Sequence, residues 1–131
     1  MQLSKFTDYS FRSLLYLATH NERLCTVDEL AKNLDISVNH LKKVIHKLAK
    51  THYIISLKGR SGGLKLGLPP KEINLGKVFI FTEENLNIVE CFNPDNNCPL
   101  IVHGCKLKTI LGKSLDSFVV ELSSYTLNDL L

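Results

Sequence analysis

Two short β-rich segments, Tyr53–Leu57 and Leu64–Leu68, flank the sextet Lys58-Gly59-Arg60-Ser61-Gly62-Gly63, and everything before them reads as helix. A Gly-rich connection of that length between two such runs predicts a hairpin. Pro69-Pro70 then stops the second strand, because proline cannot extend a ladder. A two-stranded hairpin is marginal alone in water, so it needs helices beneath it.

The helices are legible from their apolar spacing. Thr7 to His20 carries Phe11, Leu14, Leu15, Tyr16, Leu17 and Ala18, the wide stripe of a buried helix, with Thr7 or Asp8 as candidate caps. Thr26-Val27-Asp28-Glu29 has the spacing of a capping box, in which the Thr hydroxyl accepts from the Glu29 amide and the carboxylate reaches back. It opens a short helix through Asn33 that buries Val27, Leu30, Ala31 and Leu34. Asp35-Ile36 makes a turn, and Ser37 caps a longer helix through about Lys50 with Leu41, Val44, Ile45 and Leu48 inward. The order helix, short helix, turn, helix, hairpin predicts a winged helix-turn-helix over residues 1–70.

Beyond Pro70, Asn74 caps a helix including Leu75, Val78, Phe79 and Phe81. A polar, Asn-rich loop follows. The chain then runs into a long helical pattern of Leu107, Ile110, Leu111, Leu115, Phe118, Val119 and Leu122. The expected fold is mainly α with a β-hairpin wing and a long C-terminal helix. The longest apolar run, Leu14 to Ala18, is far short of a membrane span, and no signal-peptide pattern precedes it, so a cytoplasmic protein with no membrane partner is expected.

Charge separates the two parts. Residues 1–70 hold 11 Lys/Arg against 5 Asp/Glu, a net +6, whereas residues 71–131 hold 5 against 8, a net −3. A basic first half fits a polyanion. In a helix-turn-helix the second helix enters the major groove through its first residues. The outward residues there are Val38, Asn39, His40, Lys42 and Lys43, with His46 and Lys47 further along. Asn reads adenine and Lys reaches guanine or phosphate. The same face also suits a core helix with a solvated polar side. Lys58, Arg60 and Lys65 beside Gly59, Gly62 and Gly63 tip the reading toward double-stranded DNA, since glycines let backbone approach a phosphate or a narrow groove.

Cys91, Cys98 and Cys105 recur as C-x6-C-x6-C in the polar loop. Reduced thiols in such a setting point to a metal centre, iron–sulfur or zinc, because thiolate is a soft ligand. The spacing is neither a zinc knuckle nor a common ferredoxin pattern. His103 is either a fourth donor in a zinc site or a solvated loop histidine. Cys25, between Leu24 and Val27, reads as a core residue. No Ser/His/Asp set, phosphate-cradling loop, paired carboxylates or C-x-x-C is present, so no enzyme is expected.

These pieces resemble the NsrR-type repressors, nitric-oxide sensors in the Rrf-type family of iron–sulfur transcription regulators. The resemblance spans nearly the whole chain. It rests on Phe6-Thr7-Asp8-Tyr9-Ser10-Phe11-Arg12, Ser37-Val38-Asn39-His40-Leu41-Lys42-Lys43-Val44, Gly59-Arg60-Ser61-Gly62-Gly63-Leu64, Asn87-Ile88-Val89-Glu90-Cys91-Phe92, the two later cysteines, and Tyr125-Thr126-Leu127-Asn128-Asp129-Leu130. It implies a DNA-binding domain over 1–70 and a cluster-binding loop with a dimerisation helix over 71–131. It implies a homodimer on a palindromic operator, with Leu107, Leu111, Leu115, Phe118 and Leu122 as the seam. It also implies a cluster, 4Fe–4S ahead of 2Fe–2S, on Cys91, Cys98 and Cys105, with Asp8 of the other copy as fourth ligand and nitric oxide as the signal. Ser37, Val38, Asn39, His40, Lys42, Lys43, Lys47, Lys58 and Arg60 are the candidate DNA contacts. The branch that senses cluster assembly has a histidine shortly after its third cysteine, where this chain has Lys106, Leu107 and Lys108. A redox- or cluster-status sensor of the same family, and a zinc-stabilised DNA-binding protein, are the alternatives. Asp8 also suits a plain helix-terminal acid.

Overall fold

A computed structural model describes residues 1–101 and 104–131. Three helices lead, α1 (Lys5–Thr19), α2 (Val27–Leu34) and α3 (Val38–Ala49). The hairpin strands are β1 (Ile54–Leu57) and β2 (Gly63–Leu66), followed by α4 (Leu75–Thr82) and α5 (Lys106–Ser123). A last 3₁₀ turn spans Leu127–Leu130.

The starts of α1, α2, α3 and α4 each have a local cause. The α2 capping box forms as its sequence predicts: Thr26 Oγ1 accepts from Glu29 N at 3.1 Å, and Glu29 Oε2 accepts from Thr26 N at 3.3 Å. Ser37 Oγ accepts from His40 N, and Asn74 Oδ1 accepts from Lys77 N. At α1 the cap is neither Thr7 nor Asp8, the residues expected from sequence. Ser4 is the cap, taking Thr7 N at 3.2 Å, while Thr7 and Asp8 lie inside the helix. Asp35 ends α2 at φ 53°, a left-handed turn that Asp tolerates.

Antiparallel β1 and β2 pair Ile54 with Leu66 and Leu57 with Gly63. Only Ile54 and Leu64 of the strands are buried. Cys25 extends this ladder by one bridge: its N donates to Leu64 O at 2.9 Å, and Leu64 N donates back to Cys25 O. Cys25 is fully buried, the core residue its neighbours predict.

One apolar cluster joins Leu14, Leu17, Leu30, Leu41, Val44, Leu48, Ile54 and Leu64 to Ile73, Leu75, Val78 and Leu127. It therefore runs across Pro70. Leu127 is held by its N–H donating to Ile73 O at 2.8 Å. Thr126 N and Oγ1 both donate to Asp129 Oδ2, at 2.7 and 2.9 Å. The terminal turn thus docks under α1 and beside the start of α4.

α5 packs along α4. At its C-terminal end the contact is backbone-close: a Cβ on Gly76 would collide with Ser123. The Asn74 amide also donates to Ser123 O at 2.7 Å. Phe118 meets Phe79 edge-on, with centroids 5.2 Å apart. The other end of α5 follows Cys105, which offers no side-chain cap. Among the described residues no helix is long and apolar enough to cross a membrane.

Candidate nucleic-acid interface and metal centre

The wing owes its shape to two glycines. Gly59 sits at φ 101°, where a side chain is strained, and a Cβ on Gly62 would strike the Leu57 carbonyl oxygen. Arg60 and Ser61 between them, and Lys58 just before, are exposed. On α3, Asn39, Lys42, Lys43 and His46 are exposed, as is the cap Ser37. Wing tip and helix face together present cations and amides without an intramolecular salt bridge at Lys42, Lys43, Lys58 or Arg60 among the described residues.

Three other residues of the expected face are less free. Val38 is half-buried against the core. His40 meets the ring of Tyr9 edge-on, centroids 4.9 Å apart. Lys47 turns inward: its Nζ lies 2.8 Å from Glu84 Oε1 and over the rings of Phe6 and Phe81. Their spacing alone put them outward. The neighbours that claim them are distant in sequence.

Behind this face a polar network braces the α1–α2 corner. Glu29 pairs with Arg23 and accepts the Tyr16 hydroxyl at 3.0 Å. The Arg23 guanidinium, then the Tyr16 hydroxyl and the Thr26 amide, hold the Glu29 carboxyl down at about 2. Burial pushes the Cys25 thiol up, which keeps it neutral.

Cys91, Cys98 and Cys105 are free thiols of intermediate exposure. All three line one hollow of about 710 Å³, walled by Ile88, Val89, Pro99, Leu100, Leu107 and Leu111. Among the described residues no three His, Cys, Asp or Glu side chains converge as they would on a single ion. Three soft donors around a wide, mostly apolar hollow suit a group larger than one ion, and the donor set fits an iron–sulfur cluster. Asp8 lies on α1, paired with Arg12 at 2.8 Å and partly exposed. His103 lies outside the described residues.

The expected seam residues face their own chain to differing degrees. Leu107 and Leu111 line the thiol hollow, and Leu115 and Phe118 line an apolar cavity of about 370 Å³ with Leu3, Phe79 and Leu86. Leu122 packs on the core. Leu107 and Phe118 stay 62% and 43% exposed all the same, and Ile110 and Val120 point outward at 59% and 69%. The last two were not singled out as a seam by spacing, although Ile110 and Val120 lie within the same helical run. Sequence reasoning also left Tyr9, Phe6 and Glu84 without a role at this site; only their aromatic and acidic character signals one.

A winged helix with an exposed cationic reading helix and wing is a DNA-binding regulator. The chain belongs to the Rrf2 family, described as "Iron-dependent Transcriptional regulator", whose model matches residues 3–131. It is 42% identical to the HTH-type transcriptional regulator NsrR of Bacillus licheniformis over 100% of this chain and 92% of that protein. It is 46% identical to the regulator of that name from Halalkalibacterium halodurans, covering 100% and 90%. The chain is thus an NsrR-like transcriptional regulator, not an enzyme. Solved folds agree: the T. potens IscR structure superposes with a TM-score of 0.77 at 23% identity, over 99% of this chain and 85% of that one. The structure of CymR (YrzC), the global cysteine regulator of B. subtilis, gives 0.76 at 23%, over 99% and 95%.

Proposed function

We propose that the chain is a cytoplasmic, iron–sulfur-dependent repressor that binds palindromic operator DNA as a homodimer and releases it when nitric oxide modifies the cluster. The observation that carries this reading is the gathering of Cys91, Cys98 and Cys105 around one hollow in a chain so similar to NsrR proteins. In this reading residues 1–70 bind DNA, and residues 71–131 hold the cluster and pair the subunits.

Ser37, Val38, Asn39, His40, Lys42 and Lys43 enter the major groove, and Lys58 and Arg60 follow the backbone or the minor groove. Lys47 belongs to the same helix, with its ammonium turned to Glu84. The three thiolates would hold the cluster, and Asp8 of the second copy, which pairs with Arg12 within its own chain, would supply the remaining ligand. A carboxylate is a harder donor than thiolate and is displaced more easily from iron. When bound, the cluster supplies iron accessible to nitric oxide. Leu107, Leu111, Leu115, Phe118 and Leu122 form the subunit seam, a long apolar helix that gains from a partner.

An absorption spectrum of anaerobically purified protein, with iron and acid-labile sulfide analysis, before and after nitric oxide tests the reading. A coloured protein with about four irons per chain, bleached by nitric oxide together with loss of operator binding, is expected. Stoichiometric zinc without iron would replace it with a structural-metal reading. A cluster that responds to oxidants but not to nitric oxide would make the protein a redox or cluster-status sensor.

A further inference from the structure

Lys47 stands in the last turn of α3 with its side chain only 26% exposed. Its three partners come from three parts of the chain. Glu84 Oε1 lies 2.8 Å from Nζ, the Phe6 ring centroid 5.2 Å away, and the Phe81 centroid 5.3 Å away. Phe6 belongs to the first turn of α1, two residues before Asp8. Phe81 ends α4. Glu84 opens the segment that reaches Ile88, Val89 and Cys91 in the wall of the thiol hollow.

A lysine reserved for phosphate extends into solvent, as Lys42 and Lys43 do. Lys47 instead lies over two ring faces, where a cation is attracted by the aromatic quadrupole. Glu84 is 82% exposed, so this ion pair contributes little to fold stability. What it does is connect: a single ammonium joins the reading helix, the helix bearing Asp8, and the segment leading to Cys91.

We propose that Lys47 and Glu84 form a latch that transmits the state of the thiol hollow to α3. Displacing residues 83–90 moves Glu84, and Lys47 moves with it or is released, which shifts the last turn of the reading helix. Lys47 is then a positioning residue rather than a phosphate contact. The inference rests on the metal-dependent reading above, and the two fail separately.

The test uses full-length wild type, Lys47→Met, Lys47→Arg and Glu84→Gln. Operator affinity is measured anaerobically in iron-loaded and iron-depleted protein across a salt series. Lys47→Met and Glu84→Gln should each shrink the ratio of the two affinities by about two- to fivefold, with the salt slope unchanged. Lys47→Arg, which keeps both the ion pair and the ring contacts, should restore it. An equal loss in both states for Lys47→Met, with the salt slope of the dimer falling by about 2 and Glu84→Gln silent, would overturn the latch and make Lys47 a phosphate contact.

Amide exchange in metal-free protein gives a second readout. Glu84→Gln should speed exchange both in residues 83–90 and in the last turn of α3. Exchange that changes only in 83–90 would overturn the latch. A wild type without iron would instead defeat the metal-dependent reading, and the exchange measurement would still decide the latch.

Discussion

The ring of Tyr9 meets the imidazole of His40 edge-on at 4.9 Å between centroids, 71° out of plane, so the first turn of the reading helix rests on α1. Aromatic pairs of this kind add about 0.5–1.5 kcal/mol beyond the area they bury. Tyr9→Ala should therefore lower unfolding stability by at least that much. It should also weaken operator binding by several-fold, since His40 loses its support. Denaturant unfolding and operator titration of Tyr9→Ala and of Tyr9→Phe check this. Tyr9→Phe keeps the ring and should behave as wild type.

Replacing Cys91, Cys98 or Cys105 by Ala should abolish metal binding in each case, because all three line the same hollow and no other thiol does. Cys25→Ala should leave metal content unchanged and cost about 1–2 kcal/mol, as loss of a small buried group does. Asp8→Ala should keep a three-cysteine cluster with an altered spectrum and a weaker link between cluster state and operator affinity. Iron analysis and anaerobic spectra of the five variants distinguish these outcomes. An Asp8→Ala protein unchanged in both respects would return Asp8 to a surface ion pair with Arg12.

Operator binding should weaken steeply with salt. Each phosphate neutralised contributes about −0.9 to the slope of log affinity against log salt, so Arg60→Ala and Lys42→Ala, each removing one contact from both copies of a dimer, should each lower its magnitude by about 2. If the chain binds as the proposed symmetric dimer, it should protect half-sites about 10 base pairs apart or a multiple of it. Footprinting and a salt titration measure both. A single non-palindromic half-site would count against the dimer.

Acid should unfold the α1–α2 corner through Glu29. Its folded carboxyl sits at about 2 beside Arg23, below its ordinary value of 4.5. A depressed acid stabilises the fold fully above its unfolded value and loses that contribution as pH falls toward its folded one. Wild-type stability should thus fall between about pH 4.5 and pH 2. Glu29→Gln should be less stable at pH 7 and show a shallower acid decline. Urea unfolding across that pH range is the measurement.

The winged helix was legible because its signals are local. Thr26 with Glu29, Ser37, Asn74 and the glycines of the wing each act within a few residues, and each appears as the spacing predicts. What escaped the sequence is non-local. Ser4 outcompetes Thr7 as the α1 cap, a shift of one turn that apolar periodicity does not fix. Lys47 looked like a solvent-facing cation because it falls outside the inward stripe of Leu41, Val44, Ile45 and Leu48, yet Phe6, Phe81 and Glu84, up to 41 residues away in sequence, draw it in. On α5, nearly every face carries an apolar residue, so spacing alone does not separate those that line the chain's own hollows from Ile110 and Val120 outside. The thiols were visible as a set; the hollow they share was not.

The unequal ends of α5 make it a lever. At Ser123 the helix is pinned by the close approach of Gly76 and by the Asn74 amide. At Lys106 it begins beside a thiol with no cap to hold it. Eighteen residues at 1.5 Å each separate fulcrum from tip, about 27 Å, so a tilt of about 5° at the pin sweeps the Cys105 end through about 2 Å. Conversely, a displacement of about 2 Å at the thiols would reach Gly76 as a rotation of about 5° rather than as a translation.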